Sequence, residues 1–112
     1  MNIINKTRNI IIAKQTKECT TILSQGIGLM FRTRIVPLLF TLKRAQRITI
    51  HSFFMLKTID IIFLDDEKTV VDMTTLKPWT WYIPKEKVTY VIEVPEGTIL
   101  STKTGKGDEL TF

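Results

Sequence analysis

The chain has 112 residues, 44% of them hydrophobic and 24% charged, with a formal net charge of +5. That balance excludes a disordered tail, and a mass of 13.0 kDa suffices for one hydrophobic core but not for two domains. We therefore expect a single domain over 1–112, and the excess of β-branched residues (17 Thr, 16 Ile and 6 Val against 2 Ala) favours strands.

Along the chain, Asn9 to Ala13 reads as a first strand, and Thr20 or Thr21 is placed to cap a short helix that ends at Gly26-Ile27-Gly28. Val36 to Leu42, then Lys43-Arg44-Ala45-Gln46, then Arg47 to Met55 has the form of strand, turn and strand, so a hairpin is expected here. Ile59 to Leu64 is apolar except at Asp60 and is expected to be buried on both faces. Asp65-Asp66-Glu67-Lys68 makes a polar turn into a strand over Thr69 to Met73. Pro78 and Pro84 bracket Trp79-Thr80-Trp81-Tyr82-Ile83, which is too proline-bound for a central strand and is read as a loop or an edge. Val88 to Val94 is a further strand, Pro95-Glu96-Gly97 turns it, Thr98 to Thr102 forms one helical turn, and Glu109 to Phe112 closes the chain as a short strand. The expected fold class is mainly β, an antiparallel jelly-roll-like sandwich or barrel with one or two short helices.

Several chemistries fall away on residue counts. Cys19 is the single cysteine and His51 the single histidine, so neither an intrachain disulfide nor a zinc or cupin-like centre can be assembled, and no metal or cofactor is expected. The first fourteen residues lack the apolar stretch of a signal peptide and no run is long enough for a membrane span, which points to the cytoplasm. Asp65-Asp66-Glu67 lacks the alternating ligands of a calcium loop. Gly105-Lys106-Gly107 lacks the earlier glycine and the following Ser or Thr of a phosphate loop, and Gly26-x-Gly28 lacks the third glycine of a dinucleotide fingerprint. Ser52 adjoins His51, but successive strand residues point to opposite faces, so the two do not form a nucleophile and its base.

Three stretches taken together resemble a known family: Gly28-Leu29-Met30-Phe31-Arg32; His51-Ser52-Phe53-Phe54-Met55 followed by Ile59-Asp60-Ile61-Ile62-Phe63-Leu64-Asp65; and Tyr90-Val91-Ile92-Glu93-Val94-Pro95-Glu96-Gly97-Thr98. They are similar, in order and spacing, to the blocks of the prokaryotic family called domain of unknown function 192. The shorter connection Leu56-Lys57-Thr58 and the Leu76-Lys77-Pro78-Trp79 segment resemble its compact branch. The resemblance implies a small, mainly β domain of jelly-roll-like sandwich type. It implies no known activity.

Two groups of residues are candidates for a site. Asp60 is a carboxylate inside an apolar strand, which is costly unless it is paired or hydrogen-bonded, and Arg32 or His51 is its expected partner. Whether Asp60 shares a face with His51 depends on the register of the hairpin, so a ligand-facing cluster of Arg32, His51 and Asp60 stands beside a purely structural ion pair. Trp79, Trp81 and Tyr82, beside Lys77, Lys85 and Lys87, either stack on a ligand or close one end of the core, and core closure is the favoured reading. Residues 1–50 carry nine Lys/Arg against Glu18 alone, but these are scattered as on a solvated face. The preferred reading is a monomeric, non-catalytic domain that binds a small molecule or a protein. A nucleic-acid or acidic-partner binding module ranks second, and a small enzyme using Arg32, His51 and Asp60 ranks third.

Overall fold

The computed structural model describes residues 1–19, 35–53 and 55–112. Its strands are β1 (Ile3–Asn5), β2 (Ile10–Ala13), β3 (Lys17–Cys19), β4 (Leu38–Gln46), β5 (Ile50–His51), β6 (Ile59–Leu64), β7 (Val70–Leu76), β8 (Trp81–Tyr82), β9 (Val88–Pro95) and β10 (Leu110–Thr111), with helix α1 (Thr98–Thr102) between the last two. The mainly β class with a short helix is thus as expected. The helix expected to end at Gly26-Ile27-Gly28 lies outside the described residues.

The architecture follows from β6. All six of its residues are buried, so both faces of the strand must be covered, and it occupies an inner position of a five-stranded sheet of order β3-β4-β9-β6-β7. Alternation sends Ile59, Ile61 and Phe63 to one face, where they join Leu38, Phe40, Val91 and Leu76 in one core. Ile62 and Leu64 go to the other, with Leu39, Ile92 and Val94, beneath a three-stranded sheet of order β10-β1-β2. The first face is covered by the two-stranded ribbon β5-β8, whose Ile50 and Tyr82 pack into it together with Ile48 and Met55. Each large apolar side chain so buried contributes about 1.5–3 kcal/mol. The pairs are antiparallel except β3 with β4, which is parallel.

Three differences from the sequence reading have physical causes. The hairpin over Val36 to Met55 does not form: Lys43-Arg44-Ala45-Gln46 contains no glycine, proline or asparagine to turn the chain, and β4 runs through it as far as Gln46, paired with β9. The residues after it form β5, which pairs with β8 instead. A strand before Asn9 was not expected, yet Ile3–Asn5 pairs with both β2 and β10, the intervening turn closing on Asn9 in the left-handed conformation (φ 56°). Phe53, within the stretch Arg47 to Met55 expected as a strand of that hairpin, is 38% exposed, whereas Phe63 is fully buried.

Candidate functional site

The ribbon has an inner and an outer face. With Ile50 opposite Tyr82 and His51 opposite Trp81, alternation turns Ile50 and Tyr82 inward and His51 and Trp81 outward; beside them Ser52 is buried while Phe53 and Trp79 are exposed. The outward rings form a row: His51 and Phe53 have centroids 4.9 Å apart, and Phe53 stacks on Trp79 at 6.1 Å. Trp79 and Trp81 are 58% and 64% exposed, and Ile83 and Leu56 nearby are also exposed. Core closure, the favoured reading of this segment, is therefore the work of Tyr82 alone. Its ring stacks on Phe63 at 5.8 Å and its hydroxyl donates to Asp72 Oδ2 at 2.8 Å. Burial, and then the hydrogen bond to the Asp72 carboxylate, raise the Tyr82 pKa.

Ser52 holds this row in place. Its buried hydroxyl accepts the Thr80 N–H at 2.9 Å and donates to the Lys77 carbonyl, its N–H donates to the Thr80 carbonyl at 2.8 Å, and its carbonyl accepts the N–H groups of Met55 (3.1 Å) and Trp79 (2.9 Å). Ser52 and Met55 are thereby joined to Lys77, Trp79 and Thr80 through one side chain and its backbone. Trp79 sits at φ 64°, a conformation that bulky residues rarely adopt and that persists only where the surroundings over-determine it.

Basic residues adjoin the ribbon segments in the chain. Lys57 and Lys77 lie near the open end of the β6–β7 pair, where Ile59 pairs with Leu76, and Arg47, Lys85 and Lys87 lie towards the opposite end of the sheet, where Gln46 pairs with Val88. With Lys43 and Arg44 at the end of β4 they make seven basic side chains, all exposed, against one acid, Glu86, within 43–57 and 77–88. None of the seven forms an ion pair with a described residue; the ion pairs found are Arg8–Asp108 and Lys106–Asp72.

Asp60 is held by hydrogen bonds within the fold and is not paired with His51. It faces the core beneath β1 and β2, accepts the Thr75 hydroxyl on Oδ1 at 2.7 Å, and accepts the N–H groups of Gly97 (3.1 Å) and Ile99 (2.9 Å) on Oδ2. Its partners are thus a neighbouring hydroxyl and the first amides of α1, for which Gly97 supplies the turn at φ 94°. His51 lies on the outer face of the ribbon, across the central sheet from Asp60, and its Nδ1 accepts the Phe53 N–H at 3.4 Å. The two do not meet. Arg32 lies outside the described residues.

Nothing in the sequence singles out Glu93 as a candidate, yet it is a buried carboxyl. It lies on β9 between Leu38 and Ile61, is 9% exposed, and has no hydrogen-bond partner among the described residues. Burial pushes its pKa up to about 7. Among the described residues, no group of three or more His, Cys, Asp or Glu converges as a metal site would require. No helix of the described residues is long and apolar enough to cross a membrane.

Comparison with known proteins places this geometry in a family. A UPF0127 protein of Pyrococcus horikoshii is 42% identical over 112 residues, covering 98% of this chain and 97% of the relative, and one of Pyrococcus abyssi is 43% identical with coverages of 98% and 96%. Among solved structures, a protein of unknown function from Novosphingobium aromaticivorans superposes with a TM-score of 0.87 at 18% identity, covering all of this chain and 84% of the other. A chain from Sinorhizobium meliloti, provisionally named a transcription regulator, gives 0.85 at 18% identity, with coverages of 98% and 89%. At such identity these two likenesses concern the fold alone. The model of the family DUF192, described as an uncharacterized ACR, matches residues 4–112, and the chain belongs to that family.

Proposed function

We propose that this chain is a non-catalytic, monomeric binding domain of the cytoplasm that receives its partner on the outward face of the β5-β8 ribbon. The observation that carries the reading is the row His51, Phe53, Trp79 and Trp81, kept in solvent on a ribbon whose inner face is anchored in the core. Large aromatic surface left exposed in this way is a mark of contact sites. The Ser52 hydrogen bonds set the rings before any partner arrives, which lowers the ordering cost of binding. An enzyme built on His51 and Asp60 is disfavoured, because acid–base work needs groups within hydrogen-bond reach of a common substrate, and Asp60 already spends both oxygens on Thr75 and α1.

The test is nuclear magnetic resonance of the isotopically labelled chain against a panel of probes: a single-stranded oligonucleotide, an oligosaccharide and an acidic peptide. The two indole N–H signals report directly on the ribbon, since Trp79 and Trp81 are the chain's only tryptophans. At least one probe is expected to shift both signals saturably. Shifts confined to other faces, or none with any probe, would overturn the reading.

A further inference from the structure

The rings alone do not choose a partner; the charges around them do. Resting on the binding reading above, we infer that the ribbon is a site for single-stranded nucleic acid, with bases stacked on Trp81, Trp79 and Phe53 and the phosphate backbone led between Arg47, Lys85 and Lys87 at one end and Lys57 and Lys77 at the other. Sequence-tolerant single-strand binders combine two elements, a row of exposed aromatic faces and a basic track along it. Both are present here. The rings are outward and partly stacked, with Phe53 and Trp79 at 6.1 Å. The seven exposed cations outnumber the single acid by more than the net charge of +5 of the whole chain would suggest.

An acidic peptide would satisfy the cations but has no planar groups to occupy four rings. An oligosaccharide would use the tryptophans and leave the cations idle. Duplex DNA keeps its bases paired and stacked inside, where exposed rings cannot stack on their faces. A single strand uses the whole surface.

The experiment is titration of the full chain with 12-nucleotide oligouridylate and oligothymidylate, followed by tryptophan fluorescence, beside a duplex of equal length and polyglutamate. Saturable quenching by the single strands is expected, with affinity falling roughly 10–50-fold from 50 to 200 mM salt as about three or four phosphate contacts release counterions. Trp81→Ala is expected to weaken binding about 5–100-fold, the worth of one stacked base, and Trp81→Phe by less. Lys85→Glu is expected to weaken binding and flatten the salt dependence with the fold intact. Binding of the duplex as tight as that of the single strand, or binding indifferent to Trp81→Ala, would overturn the inference. Polyglutamate quenching the tryptophans where oligonucleotides do not would overturn it while leaving the binding reading in place. Failure of every probe would remove both.

Discussion

Asp60 and Glu93 sit on neighbouring strands, buried among isoleucines, and meet burial in opposite ways. Asp60 is satisfied by three donors, Thr75 and the amides of Gly97 and Ile99, and so ties β6 to β7 and to the start of α1. Asp60→Ala removes the one acceptor that these three donors share and is expected to cost about 2–4 kcal/mol in chemical denaturation. Asp60→Asn, which keeps an oxygen for the amides, is expected to cost less than half as much. Glu93 has no such donors, so its neutral form is favoured in the folded chain, with the pKa pushed up to about 7. The folded state therefore holds a proton that the unfolded chain releases near its ordinary value of 4.5, and this contribution to stability is complete below that value and is lost as pH rises to about 7. Stability is expected to fall between pH 5 and 7 by up to about 3 kcal/mol from this group. Glu93→Gln should abolish the fall and be more stable than the parent at pH 8; denaturation midpoints across that range check both. The sequence made Asp60 legible as an anomaly but not its partners, because hydroxyls and backbone amides brought from residues 75, 97 and 99 leave no charge pattern to read. Glu93 was hidden for the converse reason, since one Glu near the end of a strand normally faces water.

At the scale of elements, the ribbon shows where alternation was present but unused. Ile50-His51 and Trp81-Tyr82 each place one ring or apolar side chain inward and one outward, and that pattern gives the two faces of the paired residues directly. The brackets of Pro78 and Pro84 correctly kept the segment out of the central sheet. The partner of β5 was not legible: nearness in sequence favoured a hairpin with β4, while the pairing realised joins segments thirty residues apart and depends on Ser52. Ser52→Ala removes an acceptor for the Thr80 N–H and a donor to the Lys77 carbonyl and is expected to cost about 1–3 kcal/mol. A local consequence should accompany it. Hydrogen exchange at the amides of Trp79 and Thr80 should accelerate more than that of β6 or β9, whereas uniform acceleration would deny Ser52 a special hold on the ribbon.

For the whole molecule, the doubly buried strand Ile59 to Leu64 was the most legible feature, and it dictates the layers: a core on each face of the central sheet, one under β10-β1-β2 and the other under β5-β8. Phe63→Ala, which removes a fully buried ring stacked on Tyr82, is expected to cost about 3–5 kcal/mol. What the sequence obscured was which aromatic residues belong to these cores, since apolar composition alone does not separate Phe63 from Phe53 or Tyr82 from Trp81. The contact face depends on that separation, with the core closed by Tyr82 and the tryptophans kept for contact. Chemical denaturation of the double variant Trp79→Ala/Trp81→Ala tests it most directly. Rings outside the core should cost less than about 1.5 kcal/mol together, and a loss of 4 kcal/mol or more would show them to be core residues and contradict this division of the aromatic residues.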